Sequence, residues 1–120
     1  MESTINVIHY LEIVTPDVDA TRQLYATSFG WNFQPSVSEL GNASVATIPG
    51  GSLCGIRAPL HAEELPVVRT YIRVANLDTA TKEAKDLGAT ILLESMDLAG
   101  WGKISIYEFG GIQHGLWQVH

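Results

Sequence analysis

The residue types that could support chemistry are concentrated in two similar stretches of the chain, GGSLCGIR at residues 50–57 and GGIQHGLW at residues 110–117. In each stretch a glycine pair precedes a cysteine or histidine and then a further glycine. A phosphate-binding loop needs its glycines in front of a helix, whereas both pairs here lead into strand-like sequence. No Ser-His-Asp or Cys-His catalytic arrangement can be argued from spacing alone. The repetition itself is therefore the first signal to explain.

The two stretches lie 60 residues apart because the chain repeats one order of elements. Asn76 is suited to cap the second helix, while Gly30 and Gly88 are suited to end the two helices. Thr15-Pro16-Asp17 reads as the start of the first helix. The predicted strands are 7–14, 31–38, 43–48 and 52–58 in the first half, and 69–75, 89–94, 103–109 and 112–118 in the second.

Each half is thus predicted to be a βαβββ module, and a fixed internal period is typical of a repeated structural unit. One helix cannot cover both faces of its sheet, so we expect the two sheets to face each other around a shared cleft. The prediction is a single α+β domain over residues 1–120. Its parts are module 1 at 1–58, a proline-containing connector at 59–67 and module 2 at 68–120.

Composition limits the classes of partner. With 13 acidic and 7 basic residues the net charge is −6, which disfavours nucleic acid and anionic membranes and slightly favours cationic ligands. The single cysteine, Cys54, excludes an intrachain disulfide and fits a reducing compartment. We find no signal peptide and no apolar stretch long enough to cross a bilayer. These features predict a cytoplasmic protein.

The layout resembles the vicinal oxygen chelate superfamily, which includes glyoxalase I, bleomycin-resistance proteins, extradiol dioxygenases and methylmalonyl-CoA epimerase. The resemblance rests on HYLEIVTPDVDATRQLYATSFGW, GGSLCGIRAP, YIRVANLDTATKEAKDLGA and GWGKISIYEFGGIQHGLWQ, which together cover essentially the whole chain. It implies paired βαβββ modules that form a half-open barrel around the ligand site. It also implies a homodimer. It does not select a reaction, since this scaffold supports several unrelated activities.

Metal-using relatives place His, Gln or Glu at four inward positions, which the resemblance puts at Tyr10, Gly55, Tyr71 and Gly115. Glycine has no ligating side chain, and neutral tyrosine is a poor ligand for divalent zinc, manganese or nickel. The resemblance therefore implies that the metal ligands are lost. It also suggests that the two glycines leave room for a ligand bulkier than a metal-bound water.

A shift of one residue in strand register would exchange the inward and outward faces. The inward set would then contain His9, Cys54 and His114, which could bind a divalent metal such as zinc or copper. The alternative is that both histidines lie on the outer face or near strand ends, while Cys54 packs under a helix as a small apolar residue. His61 and His120 are expected to be solvated.

In the first register, one strand face carries aromatic and charged side chains. Tyr10, Tyr71 and Trp117 could stack on a flat or cationic ligand. Glu12 and Arg73 stand at equivalent positions in the two halves. They could hold a ligand, with Glu12 as candidate general base and Arg73 anchoring an anion, or they could pair with each other in a dry cleft.

Two further side chains complete the candidate site. Arg57 lies near a strand end, where we expect a solvated guanidinium more than a ligand contact. Trp101 lies in the glycine-flanked loop AGWGK, where it could act as a lid or pack at an interface. The predicted ligand-binding residues are Tyr10, Glu12, Arg57, Tyr71, Arg73, Trp101, Gln113 and Trp117.

Three functions fit these features. The first is a metal-independent protein of the bleomycin-resistance type, without cofactor, that binds a small aromatic or cationic molecule. The second is a lyase, an isomerase or a dioxygenase-type enzyme that uses His9, Cys54 and His114 with a metal, or Glu12 as a base. The third is a partner protein that binds a larger enzyme or regulator and no small molecule.

Overall fold

A computed structural model describes residues 4–119, which form two α-helices and eight β-strands. His120, predicted to be solvated, lies outside the described residues. The strands are β1 (Ile8–Val14), β2 (Ser36–Val37), β3 (Ala43–Thr47), β4 (Leu53–Arg57), β5 (Val67–Arg73), β6 (Thr90–Leu98), β7 (Gly102–Phe109) and β8 (Ile112–Gln118). The helices are α1 (Val18–Phe29) and α2 (Leu77–Asp86). The predicted α+β class and the βαβββ order of each module are confirmed.

The chain divides into two compact units, and we keep the names module 1 and module 2 for them. The unit of module 1 spans residues 10–68, and the unit of module 2 combines residues 4–9 with residues 69–119. In module 1, β1 runs parallel to β4, and β3 and β2 follow as antiparallel strands. In module 2, β5 runs parallel to β8, and β7 and β6 follow as antiparallel strands. The two units thus repeat one strand topology.

The core of module 1 lies on the α1 side of its sheet. Ile13, Cys54 and Ile56 are buried there, and partly buried side chains of the helix and of the segment after it pack against them. Gly30 ends α1 with φ +73°, and its amide donates to the Ala26 carbonyl, as the sequence predicts.

The segment around Pro35 corrects one prediction. The sequence predicts a strand over residues 31–38, but the strand is limited to Ser36–Val37, although the Gln34 amide also donates to the Val45 carbonyl on β3. Proline cannot donate to a ladder, and Trp31 and Phe33 pack against the core instead of entering the sheet. The start of α1 is also later than predicted, because Thr15 Oγ1 accepts from the Asp17 amide and the helix begins at Val18.

The helix of module 2 begins as predicted. Asn76 accepts a hydrogen bond from the Thr79 amide at 2.9 Å, and the Leu77 amide donates to the Gln118 side chain at 2.7 Å. The buried Thr81 hydroxyl lies 2.9 Å from that of Ser105 on β7. These bonds satisfy the first turn of α2 and attach the helix to its sheet. No helix within residues 4–119 has the length and hydropathy required to span a membrane.

Candidate functional site

Strand pairing in module 1 fixes which side chains share a face. Tyr10 lies opposite Leu53, Glu12 opposite Gly55, and Val14 opposite Arg57 on the parallel strands β1 and β4. Side chains alternate along a strand, so these positions share one face, and the intervening positions face the core under α1. The predicted register of module 1 is confirmed.

Module 2 repeats this register. Tyr71 lies opposite Gly115 and Arg73 opposite Trp117, while Ile72 and Leu116 occupy the alternate face. Each module therefore places a tyrosine from its first strand on the same face as a glycine of its last strand.

Each tyrosine occupies the space that a side chain on its glycine would need. A Cβ on Gly55 would lie 1.6 Å from Tyr10 Oη, and a Cβ on Gly115 would lie 2.2 Å from Tyr71 Cδ2. Both tyrosines are buried, with 2% of their surface exposed. The expectation that these glycines leave room for a ligand is wrong, because the rings of the same module fill that room.

The four positions that hold a metal in metal-using relatives do not carry a metal-ligand set in this chain. Tyr10, Gly55, Tyr71 and Gly115 offer two phenols and no imidazole or carboxylate, and each phenol ring is packed against a glycine. A ligating side chain at position 55 or 115 would have to displace a buried ring. Such a ligand set would therefore require a different packing of both tyrosines.

The alternative metal set is not formed by the described residues. Within residues 4–119, no three His, Cys, Asp or Glu side chains lie close enough together to hold an ion. Cys54 lies in the core under α1, where burial raises the pKa of its thiol to about 11. The His114 ring stacks on Tyr107 at 5.2 Å between centroids, and its Nε2 lies 3.2 Å from the Phe109 carbonyl oxygen.

A buried ionic cluster occupies the same face of module 1. Arg57 Nε donates to Glu12 Oε2 at 3.0 Å, and its two Nη atoms donate to the Glu64 carboxylate at 2.8 and 2.7 Å. The expectation of a solvated Arg57 is therefore wrong, since only 5% of the residue is exposed. Glu12 has a partner that the sequence did not indicate.

The ion pairs of the cluster shift the pKa values of both the carboxylate and the guanidinium towards their charged forms. Hydrogen bonds from Arg57 hold the pKa of Glu64 down at about 2, despite partial burial of the carboxylate. The hydrogen bond to Glu64, together with the charge of Glu12, raises the pKa of Arg57 above its already high normal value. Glu64 also accepts from the Leu60 amide at 2.7 Å, so the carboxylate fastens the connector to β4.

Module 2 contains a buried arginine that the sequence analysis overlooked. Arg69 Nε donates to Tyr71 Oη at 3.3 Å, and Nη1 donates to the Gln113 side-chain oxygen. The signal was present, because Arg69 precedes Tyr71 and Arg73 by two and four positions on a strand and shares their face. Glu64 offered no comparable signal, since it lies in an irregular connector.

The two tryptophans of the candidate site lie in module 2 and contact each other. Trp117 is buried, its ring meets the Tyr71 ring edge-on at 5.5 Å, and its Nε1 donates to the Trp101 carbonyl at 2.8 Å. The Trp101 amide donates to the Leu98 carbonyl, so hydrogen bonds hold this backbone on both sides. Arg73, opposite Trp117, is partly exposed.

Comparisons with known proteins give structural matches only. No protein-family model matches the chain, and no curated protein sequence matches it. Methylmalonyl-CoA epimerase from Mycobacterium tuberculosis matches with a TM-score of 0.77 and 18% identity, over 100% of this chain and 93% of that one. A hypothetical protein from Bacillus halodurans matches with a TM-score of 0.76 and 13% identity, over 94% of both chains.

A third match is a variant of Streptomyces coelicolor methylmalonyl-CoA epimerase, solved in complex with 2-nitronate-propionyl-CoA. Its TM-score is 0.69 at 17% identity, and the match covers 97% of this chain and 99% of that one. Since these matches extend over nearly the full length of both partners, the chain has the fold of these proteins, which is of the glyoxalase/bleomycin-resistance type.

Proposed function

We propose that the protein binds a small molecule, of aromatic or cationic character, without a metal ion. The observation that most strongly supports the metal-independent part is the tyrosine–glycine pair of each module, in which a buried ring occupies the space of a potential metal ligand. Matches to proteins that bind small molecules, including an epimerase in complex with methylmalonyl-CoA, agree with a binding role. Glu12 as a general base is not part of the proposal, because Arg57 engages its carboxylate.

Metal analysis of protein purified without a histidine tag tests the metal-independent part. We expect far less than one equivalent of transition metal per chain, unchanged after dialysis against zinc and then buffer. About one tightly held equivalent would contradict the proposal. It would favour the second function, a metal-dependent enzyme.

Thermal unfolding in the presence of a ligand panel tests the binding part. The panel contains aromatic amines, aromatic acids, quaternary ammonium compounds and methylmalonyl-CoA. A ligand present at 100 times its Kd stabilises the folded state by roughly 2.7 kcal/mol, which produces a measurable rise in Tm. Absence of any shift across the panel would favour the third function, a protein whose partner is another macromolecule.

Trp101→Ala tests the side chain predicted to act as a lid. If Trp101 covers bound ligand, its removal weakens binding of the panel hit about tenfold or more, because a large aromatic contact is lost. Phe109→Ala is the matched control, as Phe109 is a half-exposed aromatic at the other end of β7. Equal effects of the two variants would contradict a lid.

The predicted homodimer is measured on the same samples by light scattering.

A further inference from the structure

The residues before and at the start of β1 lie beside β5 within module 2. The Asn6 amide donates to the Arg73 carbonyl, and the Arg73 amide donates to the Val7 carbonyl at 2.8 Å. This pairing brings His9 onto Trp117, with ring centroids 5.1 Å apart and planes inclined at 60°. Arg73 lies opposite Trp117 in the β5–β8 register. His9 and Arg73 thus share one corner of the module, above a buried indole.

The two side chains have complementary capacities for hydrogen bonding. Burial, and then the positive charge of Arg73, lower the pKa of His9, so its imidazole is neutral at pH 7 and carries one N–H. The guanidinium offers donors only. Within residues 4–119, the Arg73 side chain has no carboxylate partner, and the His9 ring nitrogens have no hydrogen-bond partner. Both side chains are partly exposed.

Apolar surface borders this corner. Val7, two residues before His9, is 42% exposed, and its carbonyl accepts from the Arg73 amide. Trp117 is itself almost fully buried, so its ring packs against the imidazole and does not offer an accessible face for stacking on a ligand. The accessible surface therefore combines a cation, a neutral N–H donor and an aliphatic side chain.

We propose that His9 and Arg73 form a binding site for the carboxylate of a small molecule whose flat apolar body lies against Val7. The guanidinium forms charge-assisted hydrogen bonds with the carboxylate, and the imidazole N–H donates a further one. This proposal rests on the proposed function, because it names the chemical class of its ligand. It selects an aromatic acid over a cation.

Three compounds with the same ring separate the alternatives: benzoate, benzylamine and benzyl alcohol. The probe is the Cε1–H signal of His9 in NMR spectra, assigned by its loss in His9→Gln, with the other histidines as internal references. We expect benzoate to shift this signal saturably and to raise the pKa of His9, because a bound anion offsets the charge of Arg73. Benzylamine and benzyl alcohol should bind at least about tenfold more weakly.

Arg73→Gln provides the decisive variant. It should reduce benzoate affinity about tenfold or more and raise the pKa of His9 in the free protein. Arg22→Gln removes the same charge from the exposed face of α1 and should change neither quantity. Arg73→Lys keeps the charge and should retain more affinity than Arg73→Gln, which guards against a loss caused by misfolding.

Several outcomes overturn the assignment. It fails if benzoate leaves the His9 signal unmoved, if benzylamine binds as tightly as benzoate, or if Arg73→Gln binds benzoate like the wild type. Binding of another panel compound in those cases leaves the proposed function intact. Failure of the whole panel, by contrast, contradicts both.

Discussion

The two tyrosine–glycine pairs differ in which part of the ring fills the space over the glycine. In module 1 the nearest atom to a Cβ on Gly55 is the Tyr10 hydroxyl, at 1.6 Å, and the ring carbon that carries it is next at 2.5 Å. In module 2 the nearest atoms to a Cβ on Gly115 are ring carbons of Tyr71, three of them between 2.2 and 2.6 Å away. One pair therefore meets at the tip of the phenol and the other along its ring.

A hydrogen bond contributes to this difference. Tyr71 Oη accepts from Arg69 on the same strand, and Arg69 is held by Gln113 on β8. These bonds fix the phenol end of Tyr71 next to its own strand, so the ring carbons lie over Gly115. The two modules thus keep one packing solution, a ring against a glycine, while the polar groups around it have diverged.

The buried arginines show the same divergence. Arg57 in module 1 donates to carboxylates from β1 and from the connector, and the contacts of Arg69 in module 2 include a phenol and an amide. A guanidinium held by carboxylates is costly to remove, because the negative charges remain in a place with little water. The ionic cluster of module 1 therefore predicts a large effect of removing Arg57.

Arg57→Gln should have the largest effect of the substitutions considered. It removes the cation that Glu12 and Glu64 both face, and breaking a buried ion pair from one side costs about 3–5 kcal/mol of unfolding free energy. Urea denaturation at pH 7 measures the loss. Arg22→Gln on the surface of α1 is the control and should stay within about 0.5 kcal/mol of wild type. Equal losses would show that the ionic cluster does not stabilise module 1.

Substitution of the two glycines tests whether the tyrosine–glycine contacts of the two modules differ. Gly55→Ala and Gly115→Ala each place a methyl group against a buried ring, and overpacking of this kind costs typically 1–3 kcal/mol. Tyr10→Phe removes the atom nearest to the new methyl group, so Gly55→Ala should cost less in the Tyr10→Phe background than alone. Tyr71→Phe leaves the clashing ring carbons in place and should give no such relief to Gly115→Ala.

Double-mutant cycles from urea denaturation measure this difference. A favourable coupling is expected for the pair in module 1, and a coupling near zero for the pair in module 2. Relief of equal size in both modules would contradict the distinction between a contact at the phenol tip and a contact along the ring.

Local sequence signals were sufficient for most of the elements and for the register. Gly30 ends α1 and Asn76 caps α2 as predicted, because a helix end is determined by residues next to it. The alternation of Tyr71 and Arg73 with apolar Ile72 assigned the correct faces. Pro35 was the overlooked local signal, since its missing N–H argued against a strand over residues 31–38.

Local sequence signals could not predict the contacts between segments that are distant in the chain. The sequence of the connector does not indicate that Glu64 contacts Arg57. Irregular backbone has no repeating pattern that predicts which way a side chain points. The absence of side chains at Gly55 and Gly115 was read as open space, yet the tyrosine one strand away fills it in each module. Protein interiors are densely packed, so the space beside a buried glycine is generally filled by a neighbouring side chain.

Glu64→Gln should have the smallest effect and the clearest pH dependence. Arg57 holds the pKa of Glu64 at about 2 in the folded protein, against 4.5 for the free side chain. The folded state therefore keeps its carboxylate ionised where the unfolded chain has begun to take up a proton, and the stabilisation is complete above about pH 4.5 and lost as the pH falls towards 2. At pH 6 the variant should lose roughly 1 kcal/mol. The difference from wild type should shrink between pH 4.5 and 3, measured by urea denaturation. Glu63→Gln, at an exposed neighbouring position, should show no such convergence. A pH-independent difference for Glu64→Gln would mean that the shape of the side chain, and not its charge, holds the connector to Arg57.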